Sequence, residues 1–143
     1  VVCQKAIGQY GQQLSLHSDI RAGLPKVPGN AEMLEEACWQ ILDNAYRHTP
    51  PAGAVDVIVK AVNQQLHITV RDSGSGIAAE DLPYIFQAFW RQDKMRTLPG
   101  FGLGLTIAQK IVNLHGGQIE VTSEVGAGTM ITLTLPLQET TVF

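Results

Sequence analysis

The sequence predicts an α/β (α+β) two-layer sandwich: a mixed or antiparallel sheet with helices on one face. Three observations lead there. AVDVIVKAV and QQLHITVRD are Val/Ile-rich, alternate apolar with polar residues, and meet at Asn63-Gln64, so they read as paired strands. QIEVTSEVGAGTMITLTLPL repeats the arrangement around a Gly-rich turn. The element order, α-β-α-β-β-α-α-β-β, does not alternate strictly, which argues against a simple doubly wound parallel sheet.

Each element has its own signal. Val1 to Gln13 reads as a helix weakened by Gly8 and Gly11. Leu14, Leu16 and Ile20 mark a strand, and LPKVPGN breaks the pattern. Asn30 can cap a helix that runs to about His48, with Leu34, Cys38, Ile41 and Ala45 as its core stripe. TPPAG ends it. A short helix is expected near Glu80 to Phe86, and Phe86 and Phe89 are expected in the core. Phe89 to Gly100 has charges, a proline and no periodicity, so it reads as a mobile loop. Leu103 to Leu114 is a helix with Leu105, Ala108, Ile111 and Val112 on one face, stopped by HGG.

Composition narrows the function classes. The 143 residues fit one domain, and 45% hydrophobic content supplies its core. Net charge is −3 and no Lys/Arg run is present, which argues against nucleic acid as the main ligand. Two cysteines make no disulfide framework, and Cys38 falls in an apolar helical pattern, so a reducing cytoplasm is expected. No run approaches a membrane span. The chain begins directly on a helix-like pattern, so it is expected to be a piece of a longer protein whose parent can still be membrane-anchored.

Four stretches can carry chemistry. In QILDNAYRHTP, Gln40, Asn44, Arg47 and His48 share one helix face beside the core stripe. Amide oxygens suit Mg²⁺ and Arg47 suits phosphate, although a solvated helix face has the same composition. In RDSGSGI, Asp72 ends an apolar strand. Its carboxylate can accept from an exocyclic amine while Gly74 and Gly76 admit a flat ring, or the stretch is an ordinary Asp/Ser turn. In IFQAFWRQDKMRTLPGFGLGL, the cations Arg91, Lys94 and Arg96 stand near glycines that lead into a helix start, which attracts anions. A hinged loop explains those glycines equally well. The stretch is neither GxGxxG nor a Walker A loop. In SEVGAGTMITL, Gly126 and Gly128 read as a hairpin turn ahead of Thr129.

Taken in order, these stretches resemble the ATP-binding catalytic domain of sensor histidine kinases, within the GHKL (Bergerat-fold) ATPase superfamily. QILDNAYRHTP resembles the family's N box, RDSGSGI its G1 box, IFQAFWRQD its F box and GFGLGL its G2 box, while EVGAGT resembles the closing Gly-rich motif. The similarity spans about Leu14 to Leu137, the core of a single domain over 1–143. It implies a mostly antiparallel mixed sheet with three helices on one face, and ATP between the N-box helix and a lid running from the F box to the G2 box.

Carried over by position, the resemblance implies that Asn44 coordinates Mg²⁺ and Arg47 contacts phosphate. His48 falls where the family often has a tyrosine near the nucleotide. Asp72 would accept the adenine amino group in a pocket shaped by Gly74, Gly76 and Ile77. Arg91 would approach the γ-phosphate and, with Asn44, serve catalysis. Gly102 and Gly104 would offer backbone N–H groups to phosphates, with Gly100, Phe101, Leu103, Leu105 and Thr129 completing the ATP site. Two positions depart from the pattern. Gln40 stands where histidine kinases usually have Asn, and its longer amide would share the Mg²⁺. Phe101 fills a place that carries a polar, metal-reaching residue in some members.

The implied activity is transfer of the ATP γ-phosphate to a histidine on a separate dimerisation domain of the parent, then relay to a response regulator. The parent would be a homodimer and this domain a monomer. In the family the acceptor histidine begins a His-Glu or His-Asp motif, and none of His17, His48, His67 or His115 does so. The phosphoacceptor domain is therefore expected to be absent from this chain. Three readings compete. A gyrase- or MutL-like ATPase would need a water-activating glutamate where Gln40 stands, and an amide is no general base. An anti-sigma-factor serine kinase shares the fold. A non-catalytic docking module could use Phe86, Phe89 and Trp90 as its surface, against which Asn44, Asp72 and the glycines argue.

Overall fold

The computed structural model describes residues 27–91 and 103–137, and the backbone of 15–20. The helix expected over 1–13 lies outside the described residues, as does the 92–102 segment. Five strands form one sheet: β1 (Ser15–Ile20), β2 (Ala54–Val62), β3 (Gln65–Asp72), β4 (Gln118–Glu124) and β5 (Gly128–Pro136). Their order across it is β1-β2-β3-β5-β4. β1 runs parallel to β2, and each remaining neighbouring pair is antiparallel. The sheet is thus mixed and mostly antiparallel, as the strand pattern predicts.

Two helices, α1 (Ala31–His48) and α2 (Gly104–Leu114), cover one face. Alternation decides which face. Val55, Val57 and Val59 of β2, Leu66, Ile68 and Val70 of β3, and Ile131, Leu133 and Leu135 of β5 all point inward and are buried. Against them pack Ala37, Cys38, Ile41, Leu42 and Ala45 from α1, and Ala108, Ile111 and Val112 from α2. The opposite face is polar: Arg71 reaches Asp56 across β2–β3 at 3.1 Å, and the Thr69 and Thr132 hydroxyls meet at 3.3 Å. Such one-sided burial is how an antiparallel sheet satisfies a two-layer architecture.

Local chemistry sets the boundaries. Asn30 accepts the Met33 N–H at 3.0 Å, capping α1 as its position predicts. At the other end Thr49 is buried, and its hydroxyl donates to the Ala45 carbonyl at 2.7 Å before Pro50 forbids continuation. Asn63 and Gln64 both take positive φ, 49° and 63°, as a two-residue type I′ hairpin turn requires. His115, just past α2, ties the helices together. Its Nδ1 meets the Ile111 carbonyl at 2.7 Å and its Nε2 accepts the Asn30 N–H at 3.1 Å. The end of α2 is thereby fastened to the start of α1.

Two expectations need correction. The helix expected over Glu80 to Phe86 is only a 3₁₀ turn, Leu82–Tyr84, so two α-helices rather than three cover the sheet among the described residues. Pro83 has no N–H to give, and the segment closes instead by successive short-range bonds, Tyr84 to Asp81 and Gln87 to Tyr84. Phe89 is not in the core. It is 63% exposed and adopts φ 68°, at the end of this chain of turns, while Phe86 is half-buried.

Ile41 is 1% exposed at the centre of the helix–sheet contact. Ile41→Ala is expected to lower unfolding free energy by about 3–4 kcal/mol, measured by urea denaturation. Asn30→Ala is expected to lower it by about 1 kcal/mol in the same assay.

Candidate functional site

Three elements converge at one end of the sheet: the last turns of α1, the turn after β3, and the first turn of α2. Along α1, Gln40, Asn44 and His48 recur every four residues beside the buried stripe, and all three are half-buried. Gln40 lies at the α2 side. Its Nε2 donates to Glu36 Oε1 at 2.6 Å, and its Oε1 faces Gly104, where an added Cβ would stand 2.8 Å away. His48 lies at the β3 side. Its carbonyl abuts Gly74, where an added Cβ would stand 2.2 Å from the oxygen. Asn44 sits between them, and among the described residues its amide has no hydrogen-bond partner. Eight residues of helix separate the two ends by about 12 Å.

Asp72 is the chemically distinctive residue. It ends β3 on the helix-facing side and is 5% exposed. Its Oδ1 accepts the Gly74 N–H at 2.9 Å, and the Thr129 backbone N–H also reaches the carboxylate. Burial pushes the carboxyl above the usual carboxylate range. The two N–H groups and the charge of His48 pull in the opposite direction but do not cancel it. A carboxylate with about four acceptor positions, placed where few donors and little water reach it, is poised for a donor from a ligand.

The turn after Asp72 is built on close approach. Gly74 must lack a side chain because the α1 carboxyl end presses on it. Gly76 takes φ 76°, and Gly74, Gly76 and Ile77 are all buried. The pocket expected from RDSGSGI is therefore a rigid, tightly packed turn lying against α1 and the β4–β5 hairpin.

At the opposite end, α2 begins without a side-chain cap, and its first internal bond runs from Ile107 N–H to the Leu103 carbonyl at 2.9 Å. The N–H groups before Ile107 thus lie at a helix start, the geometry that favours anions. Gly104 also faces the Gln40 amide. Leu103 and Leu105 flank this start and are half-buried. Gly100, Phe101 and Gly102 lie outside the described residues, as do Lys94 and Arg96. Arg91 is half-buried at the end of the stretch carrying Phe86 and Trp90. Thr106 anchors that stretch to α2 by donating to the Phe86 carbonyl at 2.8 Å.

Arg47 stands apart from the other α1 residues. It is exposed, and its Nε binds Asp43 Oδ2 at 2.6 Å, one turn back. A phosphate there would share Arg47 with that carboxylate.

Sequence reasoning missed Thr106 and Ser123 in this region, and His115 as the inter-helix tie at the far end of the two helices. Hydroxyls and a helix-terminal His carry no periodic signal. Only their partners, distant in sequence, reveal them.

This chain belongs to the family of histidine kinase-, DNA gyrase B- and HSP90-like ATPases, whose profile it matches over residues 29–139. Within it, the similarity is to sensor histidine kinases. The chain is 33% identical over 132 residues to the adaptive-response sensory kinase SasA of Synechococcus elongatus, covering 92% of this chain and 34% of that protein. It therefore spans about a third of the length of the curated relatives it matches. Among solved structures, the mycobacterial sensor histidine kinase MprB superposes with a TM-score of 0.82 at 26% identity, covering 96% of this chain and 94% of that one. Full-length ShkA in complex with AMPPNP superposes with a TM-score of 0.77 at 25% identity, covering 95% of this chain and 28% of that one.

The raised Asp72 pKa has a definite sign in stability. The folded chain holds this proton more tightly than the unfolded chain does. The contribution is therefore fully present below the ordinary carboxylate range and is lost as pH rises through the folded-state value. Asp72→Asn removes this titration. Its stability relative to the parent chain is expected to improve steadily from acid to neutral pH, measured by urea denaturation across that range.

Proposed function

We propose that this chain is the ATP-binding catalytic domain of a sensor histidine kinase. It binds Mg-ATP and donates the γ-phosphoryl group to a histidine on a separate dimerisation domain of its parent, for relay to a response regulator. The observation that carries this reading is the line Asp72–His48–Asn44–Gln40–Gly104. A buried acceptor stands at one end, a helix N-terminus at the other, and neutral amides lie between.

The residues fit the ligand. Asp72 would accept the 6-amino group of adenine, with the turn through Gly74, Gly76 and Ile77 as the adjoining wall; its two glycines make room for the α1 end and the β4–β5 hairpin, which hold that wall in place. The N–H groups at the start of α2 would receive phosphate oxygens. Mg²⁺ favours oxygen ligands and keeps waters and substrate phosphates in its shell, so it asks little of the protein. The Asn44 amide oxygen and the Gln40 Oε1 beside Gly104 match that demand. Among the described residues no group of three or more His, Cys, Asp and Glu could form a protein-only metal cage. The ion would supply charge neutralisation on the phosphates, and Arg91 would add to it.

Phosphoryl transfer depends on positioning and electrostatics rather than covalent chemistry by the protein. This site offers both, and it lacks a carboxylate at Gln40 that could activate water. The Gln40 amide, bonded to Glu36, favours transfer to another protein group over hydrolysis. None of the four histidines precedes Glu or Asp, which supports an acceptor on another domain.

Titration of the chain with ATP and Mg²⁺ is expected to show saturable binding that Asn44→Ala weakens about tenfold or more, with the difference between the two vanishing in EDTA. Incubation with γ-labelled ATP is expected to leave no acid-labile phosphate on the chain alone. Stable label on the isolated chain would contradict the separate acceptor.

A further inference from the structure

We propose that Ser123 is a positioning residue for the base pocket, a role resting on the nucleotide-binding reading above. Asp72, Thr129 and Ser123 form one row across β3, β5 and β4: Asp72 pairs with Thr129, and Thr129 with Ser123. All three project to the helix-facing side, where the rest of each strand carries apolar residues.

The Ser123 hydroxyl uses every hydrogen-bonding position it has. It accepts the Ile77 N–H at 2.7 Å, meets the Thr129 hydroxyl at 2.8 Å and donates to the Gly128 carbonyl at 3.0 Å. Ile77 ends the turn that begins at Asp72, so this one oxygen joins that turn to the β4–β5 hairpin. A second tie runs alongside, from Gly126 N–H to the Ser75 carbonyl at 2.9 Å. The backbone of Gly76 lies so close to Glu124 that an added Cβ would stand 2.1 Å from its carbonyl oxygen.

These contacts hold the turn on both sides. Asp72 anchors one end through Gly74 and Thr129, and Ser123 anchors the other through Ile77. Ser123 would act through the turn, since its hydroxyl is taken up by Ile77, Thr129 and Gly128. It fixes the distance between the Asp72 carboxylate and the wall formed by Gly74 to Ile77, which decides how well a base seats on that carboxylate. Loss of the hydroxyl leaves the Ile77 N–H without its partner in a partly buried place, and the Ile77 end of the turn is then held only by the Gly126–Ser75 bond and the Gly76–Glu124 contact.

The test compares the parent chain with Ser123→Ala and Ser123→Thr. ATP and ITP affinities are measured by calorimetry, and amide exchange is followed at Ile77 and, as a core reference, at Val70. Ser123→Ala is expected to weaken ATP about tenfold, to reduce the preference for ATP over ITP, and to speed exchange at Ile77 while Val70 is unchanged. Ser123→Thr, which keeps the hydroxyl, is expected to restore all three. A purely structural role would lower the melting temperature yet leave the ATP-to-ITP ratio intact, and that result overturns the proposal. If Ser123→Ala does not fold, Ser123→Cys replaces it, since a thiol accepts only weakly, and the same outcomes apply. Failure of the parent chain to bind either nucleotide overturns the ATP reading. Ile77 exchange then decides alone whether Ser123 tethers the turn: unchanged exchange in the variant refutes it.

Discussion

The burial of one carboxylate governs this end of the molecule. Asp72 sits at the last position of β3, on the side where its strand otherwise carries Leu66, Ile68 and Val70. Continuing that alternation with an acid costs stability, and burial raises its pKa accordingly. The surroundings are arranged to bear the cost. Gly74 and Thr129 turn backbone N–H groups to the carboxylate, and His48 brings a favourable charge. Each of these needs a neighbour in place. Gly74 must meet the α1 carboxyl end, Thr129 must hold its register against β3, and His48 must end α1 there. The sheet register, the length of α1 and the glycine turn are thus parts of one constraint.

A second constraint acts along α1. The helix must bury Ala37, Cys38, Ile41, Leu42 and Ala45 against the sheet while carrying Gln40, Asn44 and His48 on the adjoining face. Both sets follow the helical period, so packing of the first orients the second. The cap at Asn30, and the bond from Asn30 N–H to His115, fix the axial position of α1 relative to α2. That puts Gln40 opposite Gly104. Core packing therefore sets the spacing between the Gln40 and Asn44 amides and the start of α2.

Much of the fold was legible because it rests on local period. The alternation in β2 and β3, the stripe in α1 and the Asn30 cap each announce themselves within a few residues. The mixed sheet followed from element order. The segment 80–89 was misread because apolar residues there suggested helix and core. Pro83 and a run of tight turns prevailed, and Phe89 faces solvent. For the candidate site, Asp72, Gly74, Gly76, Asn44 and Gln40 stand out in the sequence because each lies in a short, chemically distinctive stretch, and the structure places them around the last turns of α1 and the turn after β3. Ser123 does not stand out, because a serine in an alternating strand looks like any surface hydroxyl. Its importance lies in partners 46 and 5 residues away, Ile77 and Gly128. For Arg47 the structure adds a partner that its charge alone did not reveal, the Asp43 carboxylate one turn back.

If a nucleobase donor offsets the cost of charging the buried Asp72 carboxyl, as we propose, nucleotide binding must shift the titration of that group. Carbon-13 NMR of the Asp72 carboxyl, titrated with pH in the presence and absence of saturating Mg-ATP, measures it directly. A ligand that donates a hydrogen bond to the carboxylate favours its charged form, so a clear fall in the Asp72 pKa is expected on binding. An Asp72 that titrates at the same pH with and without bound nucleotide would contradict it.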